Sequence, residues 1–175
     1  MPMDQPKYSK KEVSQKFNLK KLLGYSPSER QKELFFELAV NKMVQRTASG
    51  QDIDGKKFTQ YTKDYAAKKG VSRSSVDLIL DGDMLNSNIK ESKQKNIVKI
   101  KVEDGVETLK SYNHNVGDTL PTRTYFGFKS EKDLSDVLNE VDTAKESTSR
   151  QVIEGISNLA ELRAAVLSID SEFES

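Results

Sequence analysis

The run Asn96-Ile-Val-Lys-Ile-Lys-Val102 suits one kind of local structure. Val98, Ile100 and Val102 fall on one side of an extended chain, Lys99 and Lys101 fall on the other, and only Ile97 is out of step. A period of two marks a half-buried strand. An earlier segment has the other period. From Pro27 to about Ala48, the residues Leu34, Phe35, Leu38, Val40 or Asn41, Val44 and Ala48 form a stripe of roughly helical spacing. Ser26 as N-cap, Pro27 at the first helical position and Glu29 three residues after the cap supply its start, and Gly50 supplies its stop. A chain with such a strand and such a helix must bury both apolar faces. The predicted fold is α+β: a small antiparallel sheet packed by the long N-terminal helix and by C-terminal helices.

The remaining elements follow from the same rules. Asp104-Gly105 reads as a hairpin turn, Val106 to Tyr112 as the return strand and Thr124 to Phe128 as an aromatic closing strand. Phe58, Tyr61, Tyr65 and Ala66 predict a short helix from Phe58 to Lys69, stopped by Gly70. Val76 to Leu80 reads as a short strand or a helical turn leading into Asp81-Gly82-Asp83, and Met84 to Ile89 as one or two helical turns. Ser130 caps a predicted helix to Val141, with Asp133 placed to favour its dipole and Leu134, Val137, Leu138 and Val141 as its stripe. A polar hinge over 142–149 precedes a last amphipathic helix, Arg150 to Ile169, with Val152, Ile156, Leu159, Leu162 and Val166 on one face. This divides the chain into a basic N-terminal arm (1–25) that orders only on a partner, an α+β core (26–142), and a linker with a C-terminal helix (143–175). Ser14 to Leu22, within the arm, could form a weak amphipathic helix.

Composition limits the core and the chemistry. Only 35% of the 175 residues are hydrophobic, and the mean hydropathy is −0.69, so much of the chain must face water or a polar partner. The net charge of +1 argues against a uniformly basic nucleic-acid binder. The distribution is uneven: residues 131–175 hold four Lys/Arg against eleven Asp/Glu, net −7, which leaves +8 on residues 1–130. Two such parts could meet head to tail in an assembly, or neutralise each other within one chain. There is no cysteine, so disulfides and thiolate metal sites are excluded; this fits assembly in a reducing cytoplasm. No apolar run approaches the ~18 residues that span a bilayer, so no membrane partner is expected.

Candidate catalytic features are sparse. Asp54, Asp81 and Asp83 lie beside glycines and Asp52 lies close to two, where aspartate commonly forms turns. A calcium loop starting at Asp52 would need a glutamate where Lys63 stands. His114, the single histidine, lies between two asparagines with no nucleophile elbow in the chain, and reads as a hydrogen-bonded turn residue. Neither phosphate-loop glycine pattern occurs. No enzyme activity, cofactor or metal is expected. Lys90, Lys93, Lys95, Lys99 and Lys101, together with Lys10, Lys11, Lys20 and Lys21 of the arm, could touch nucleic-acid phosphates or form a solvated face.

Four signatures follow one another in a set order. These are Asp52-Ile-Asp-Gly-Lys-Lys-Phe58 leading into Tyr61, Tyr65 and Lys68; the turn around Gly82 with Met84 to Ile89; Tyr112-Asn-His-Asn-Val-Gly117; and Leu120-Pro-Thr-Arg-Thr-Tyr-Phe-Gly-Phe128. Their order and spacing, over about half of the chain, resemble the tail-completion and neck (virion morphogenesis) proteins of tailed bacteriophages. The pattern departs at Asp83 and at Tyr125-Phe126-Gly127-Phe128, where a leucine often precedes the glycine. The resemblance implies a non-enzymatic virion protein that joins head to tail as a hexameric ring, assembled in the host cytoplasm. Its neighbours would be neck or portal-side proteins and the tail terminator or tail tube, with non-specific contact to genomic DNA in the channel. It singles out Tyr112, His114, Asn115, Gly117, Pro121, Arg123 and Gly82 as structural or interaction residues. Arg123 would offer a planar fork to a carboxylate and fix its loop, internally or across a subunit boundary. The alternative is a non-virion adaptor or nucleic-acid-associated module using the lysine-rich face.

Overall fold

The computed structural model describes residues 3–76, 89–102, 105–117 and 121–145. The fold is α+β. A four-stranded antiparallel sheet has the order β1-β2-β4-β3, from β1 (Lys7–Tyr8), β2 (Val13–Asn18), β3 (Ile89–Gln94) and β4 (Ile97–Val102). The helices are α1 (Leu19–Leu23), the long α2 (Glu29–Ala48), α3 (Lys63–Lys69) and α4 (Gly105–Val116). A 3-10 turn, Glu131–Leu134, runs into a further helix, α5, over 135–145.

Strand β4 has the predicted faces. Val98, Ile100 and Val102 are buried, while Ile97, Lys99 and Lys101 are only half-buried. Its partners differ from those predicted. The segment expected to return beside it, Val106 to Tyr112, is helical and belongs to α4. The strand that pairs with it on one side is β2, from the segment read as a flexible arm or weak helix. In β2, Val13, Gln15 and Phe17 alternate onto the buried face and sit at 0%, 2% and 1% exposure. The lysines around this segment hid a period of two that needs only three inward positions.

Helix α2 starts two residues later than predicted. The Ser28 hydroxyl accepts from the Gln31 N–H at 3.1 Å and the Gln31 side chain accepts from the Ser28 N–H at 3.0 Å, a capping box formed by glutamine in place of Glu29. Helix α3 is shorter than the predicted 58–69, because Thr62 caps it at Tyr65; Phe58 and Tyr61 enter the core from the preceding loop. Gly70, at φ +74°, ends α3 as expected. Ser130 precedes Glu131–Leu134, and the Asp133 carboxylate accepts from both the backbone N–H and the hydroxyl of Ser130 at 3.1 Å. Core packing is aromatic at its centre, with the Phe17 ring 5.1 Å from Phe35 and 6.3 Å from Phe128. Gly82, Asp81, Asp83, the rest of the 77–88 run, the 146–149 part of the hinge and the Arg150 to Ile169 helix lie outside the described residues.

Candidate functional site

Residues 124–128 were predicted to close the sheet, yet among the described residues they pair with no strand. Tyr125, Phe126 and Phe128 are buried at 1%, 0% and 0% exposure, so their backbone groups need partners. Side chains supply every one from Tyr125 to Phe128. Asn115 Oδ1 accepts from the N–H groups of Tyr125 and Phe126, at 3.0 and 2.9 Å. Met43 Sδ accepts from Gly127 N–H at 3.1 Å, and Gln15 Oε1 accepts from Phe128 N–H at 2.8 Å. Arg46 donates to the carbonyls of Tyr125 and Gly127, at 2.5 and 2.9 Å. The Tyr8 hydroxyl donates to Phe126 O at 2.6 Å, and Gln15 Nε2 donates to Phe128 O at 2.7 Å. The segment is threaded through the molecule, held by β1, β2, α2 and α4.

Sequence dictates that path at Gly127. Its φ is +97°, and a Cβ there would lie 2.4 Å from Pro6 Cγ and 2.8 Å from Gln15 Oε1, so only glycine fits. Gly117 is similar at the end of α4: its φ is +76° and an added Cβ would meet Thr122 Oγ1 at 2.1 Å.

Asn115 is the hub. Besides receiving two N–H groups, its Nδ2 donates to the Ser111 carbonyl at 2.8 Å, and its own carbonyl accepts from Thr124 Oγ1 at 2.9 Å. Ser111 Oγ accepts from the Tyr125 hydroxyl at 2.7 Å, and burial pushes that phenol's pKa up. Arg123 is 5% exposed. Its fork meets backbone carbonyls rather than a carboxylate: Nε donates to Thr59 O at 2.9 Å and an Nη to Gln60 O at 3.1 Å. The guanidinium lies over the Tyr61 ring, 5.2 Å from its centroid. Its backbone N–H donates to His114 O at 2.7 Å. Arg123 thus ties the 59–61 loop to the end of α4 within one chain.

The imidazole of His114 is half-buried, and burial, with the Arg123 charge adding, pushes its pKa down to about 4. Its Nδ1 has no hydrogen-bond partner among the described residues. Tyr112 packs against the core while Pro121 is exposed. The aspartate turn reads as expected: Asp52 Oδ1 accepts from the N–H groups of Asp54 and Lys56 at 2.9 and 2.8 Å. Asp54 pairs with Lys129 at 2.6 Å, and Ile53 N–H donates to Thr124 O at 2.7 Å. Among the described residues no group of His, Asp or Glu is placed to hold a metal ion, and no helix is long and apolar enough to cross a membrane.

Three of the four signatures therefore meet here: the Asp52 turn with Tyr61, the end of α4, and Pro121 to Phe128. Lys10, Lys11, Lys20 and Lys21 lie apart, exposed on the β1–β2 connection and on α1. Sequence reasoning missed Gln15, Tyr8, Met43 and Arg46. A signal for Gln15 was present, since it occupies the inward position between Val13 and Phe17 and a polar residue there must have a buried partner. The chain matches no protein-family model, no curated protein and no solved structure.

Proposed function

We propose that this chain is a structural protein of a tailed-bacteriophage head–tail connector, completing the tail at the neck as one subunit of a hexameric ring. The observation that carries this reading is the convergence of sequence-distant signatures on one buried network. The Asp52 turn is tied to Thr124 through Ile53, Arg123 joins the 59–60 carbonyls to His114 at the end of α4, and Asn115 holds Tyr125 and Phe126. Their polar groups go into fixing the shape of a loop-rich body. Such a body offers preformed surfaces to neighbouring rings, on the portal side or at the tail terminator or tube, and loses little freedom on docking. The charge polarity between residues 1–130 and 131–175 gives adjacent subunits an electrostatic register.

The test is mass spectrometry and cryo-electron microscopy of particles from the replicon that encodes the chain, with six-fold averaging at the neck. Density for the chain at the head–tail junction is expected. Its absence from mature particles would overturn a structural role in the virion. Arg123→Ala sharpens the test by freeing the 59–61 loop, and impaired folding or ring formation is expected. Unchanged stability and assembly would remove Arg123 from the proposal.

A further inference from the structure

The face of the sheet turned away from the core carries lysines directly opposite one another. In the β2–β4 register Lys16 stands opposite Lys99, and Lys101 lies on the same side of β4. Lys7 of β1 is paired with Ser14 and shares this side. Opposed residues of neighbouring strands lie about 5 Å apart and alternate residues along a strand about 6.6 Å apart. The result is a run of positive positions, Lys16–Lys99–Lys101, across two strands. Like charges directly opposite are destabilising in a sheet, and anionic groups seated over Lys16 and Lys99 relieve that repulsion.

A carboxylate stands inside the array. Glu12 bridges Lys99 at 2.5 Å and Lys7 at 3.2 Å and accepts from Ser14 Oγ at 2.7 Å. Lys99, Ser14 and Lys7 together hold its carboxyl at about 2. Two shallow hollows of about 400 and 380 Å³ share Lys16 and Asp4 and lie along this face, and Glu131 borders the second. Asp4 and Glu131 thus sit at the rim, and the lysines lie across the strands. Outward positions beside the lysines are Ser14, Asn18 and Ile97; no aromatic ring among them offers a base a stacking platform. The chemistry suits a sugar-phosphate backbone read without sequence.

We propose that this sheet face binds the phosphate backbone of duplex DNA, through Lys16, Lys99 and Lys101. The connector reading supplies only the natural source of such DNA, so the two proposals fail separately. Register also sorts the lysines: Lys93 stands opposite Val98 on the core-facing register, and Lys95 lies in the β3–β4 turn, so neither belongs to the array.

The experiment is fluorescence anisotropy of the full chain with a labelled duplex from 50 to 200 mM salt. Wild type is compared with the triple variant Lys16→Gln, Lys99→Gln, Lys101→Gln and with a control pair, Lys68→Gln with Lys95→Gln. Circular dichroism checks that each is folded. The expected result is salt-sensitive binding whose log–log slope falls by about 0.9 per lysine removed. The triple variant should bind at least about tenfold more weakly at 50 mM salt, and the control should match wild type. Were the triple variant unfolded, Lys16→Gln alone, at an exposed position, should still flatten the slope. No binding at 50 mM salt, equal loss in triple and control, or equal displacement by polyglutamate would overturn the proposal; the last would assign the face to an acidic protein.

Discussion

Helices α2 and α4 bury the same geometric column and fill it with opposite chemistry. In α2 the inward positions are Gln31, Phe35, Ala39, Met43 and Thr47, every fourth residue. In α4 they are Glu107, Ser111 and Asn115, again every fourth, with Thr108 beside them. The middle of α2 excludes water with apolar atoms. The inner face of α4 binds backbone: Thr108 Oγ1 donates to Val102 O at 3.1 Å, and Asn115 receives two N–H groups of the aromatic segment. The outward side of α4 holds Val106, Leu109 and Val116, exposed by 65%, 43% and 43%. A helix therefore need not turn its apolar side inward, provided the polar side has buried backbone to satisfy.

The largest expected effects test that contrast directly. Phe35→Ala in α2 should cost about 3–5 kcal/mol, as a transfer and cavity loss, and Phe35→Leu should recover most of it. Asn115→Leu in α4 keeps the volume but leaves two buried N–H groups without an acceptor, at about 3 kcal/mol. Apolar replacement of similar size should thus rescue α2 and fail in α4, as read by urea unfolding midpoints. Similar tolerance at both positions would break the comparison.

The same contrast explains what could be read from the chain. Strand β4, the length of α2 and the stops at Gly50 and Gly70 were legible because apolar periodicity and glycine report them locally. Helix α4 was misread as a return strand because its inward residues are polar, and Val106, Thr108 and Lys110 alternate against Glu107, Leu109 and Ser111. The 124–128 segment was misread as a strand because its aromatics suit a sheet. What displaces a ladder there is a set of side chains from positions 8, 15, 43, 46 and 115, and no local pattern reports contacts at such separations. Of the candidate site, Asn115, Gly117 and Arg123 were legible through their motif, whereas Arg46 and Gln15 lie outside it.

A smaller effect should appear with pH at the end of α4. Burial first, then the Arg123 charge, holds His114 at about 4 against the ordinary 6.5. The folded chain keeps this imidazole neutral where the unfolded chain takes up a proton. Its contribution is therefore complete above about 6.5 and is lost as pH falls toward 4. Cooling of stability by about 2 kcal/mol between pH 6.5 and 4.5 is expected from this group. His114→Gln should flatten that part of the profile in thermal melts, and an unchanged slope would assign the acid sensitivity elsewhere. Next in size is Ser111→Ala, which leaves the Tyr125 hydroxyl without its acceptor and should cost about 1 kcal/mol. Tyr125→Phe in the same background should then add little, which a double-mutant cycle would read as coupling.

The smallest effect is expected on the outward side of α4. Leu109 is 43% exposed, so Leu109→Gln gives up little burial and keeps helix propensity nearly constant. The unfolding free energy of the free chain should change by less than about 0.5 kcal/mol. A loss several times larger, growing with protein concentration, would mean that a second copy covers this face in solution. The polar column of α4 would then be one half of a two-sided helix, and the contrast with α2 would reflect a missing neighbour rather than an inward-facing polar design. A midpoint independent of concentration, with Leu109→Gln near wild type and Asn115→Leu far below it, would place the stabilising face of α4 on its polar side.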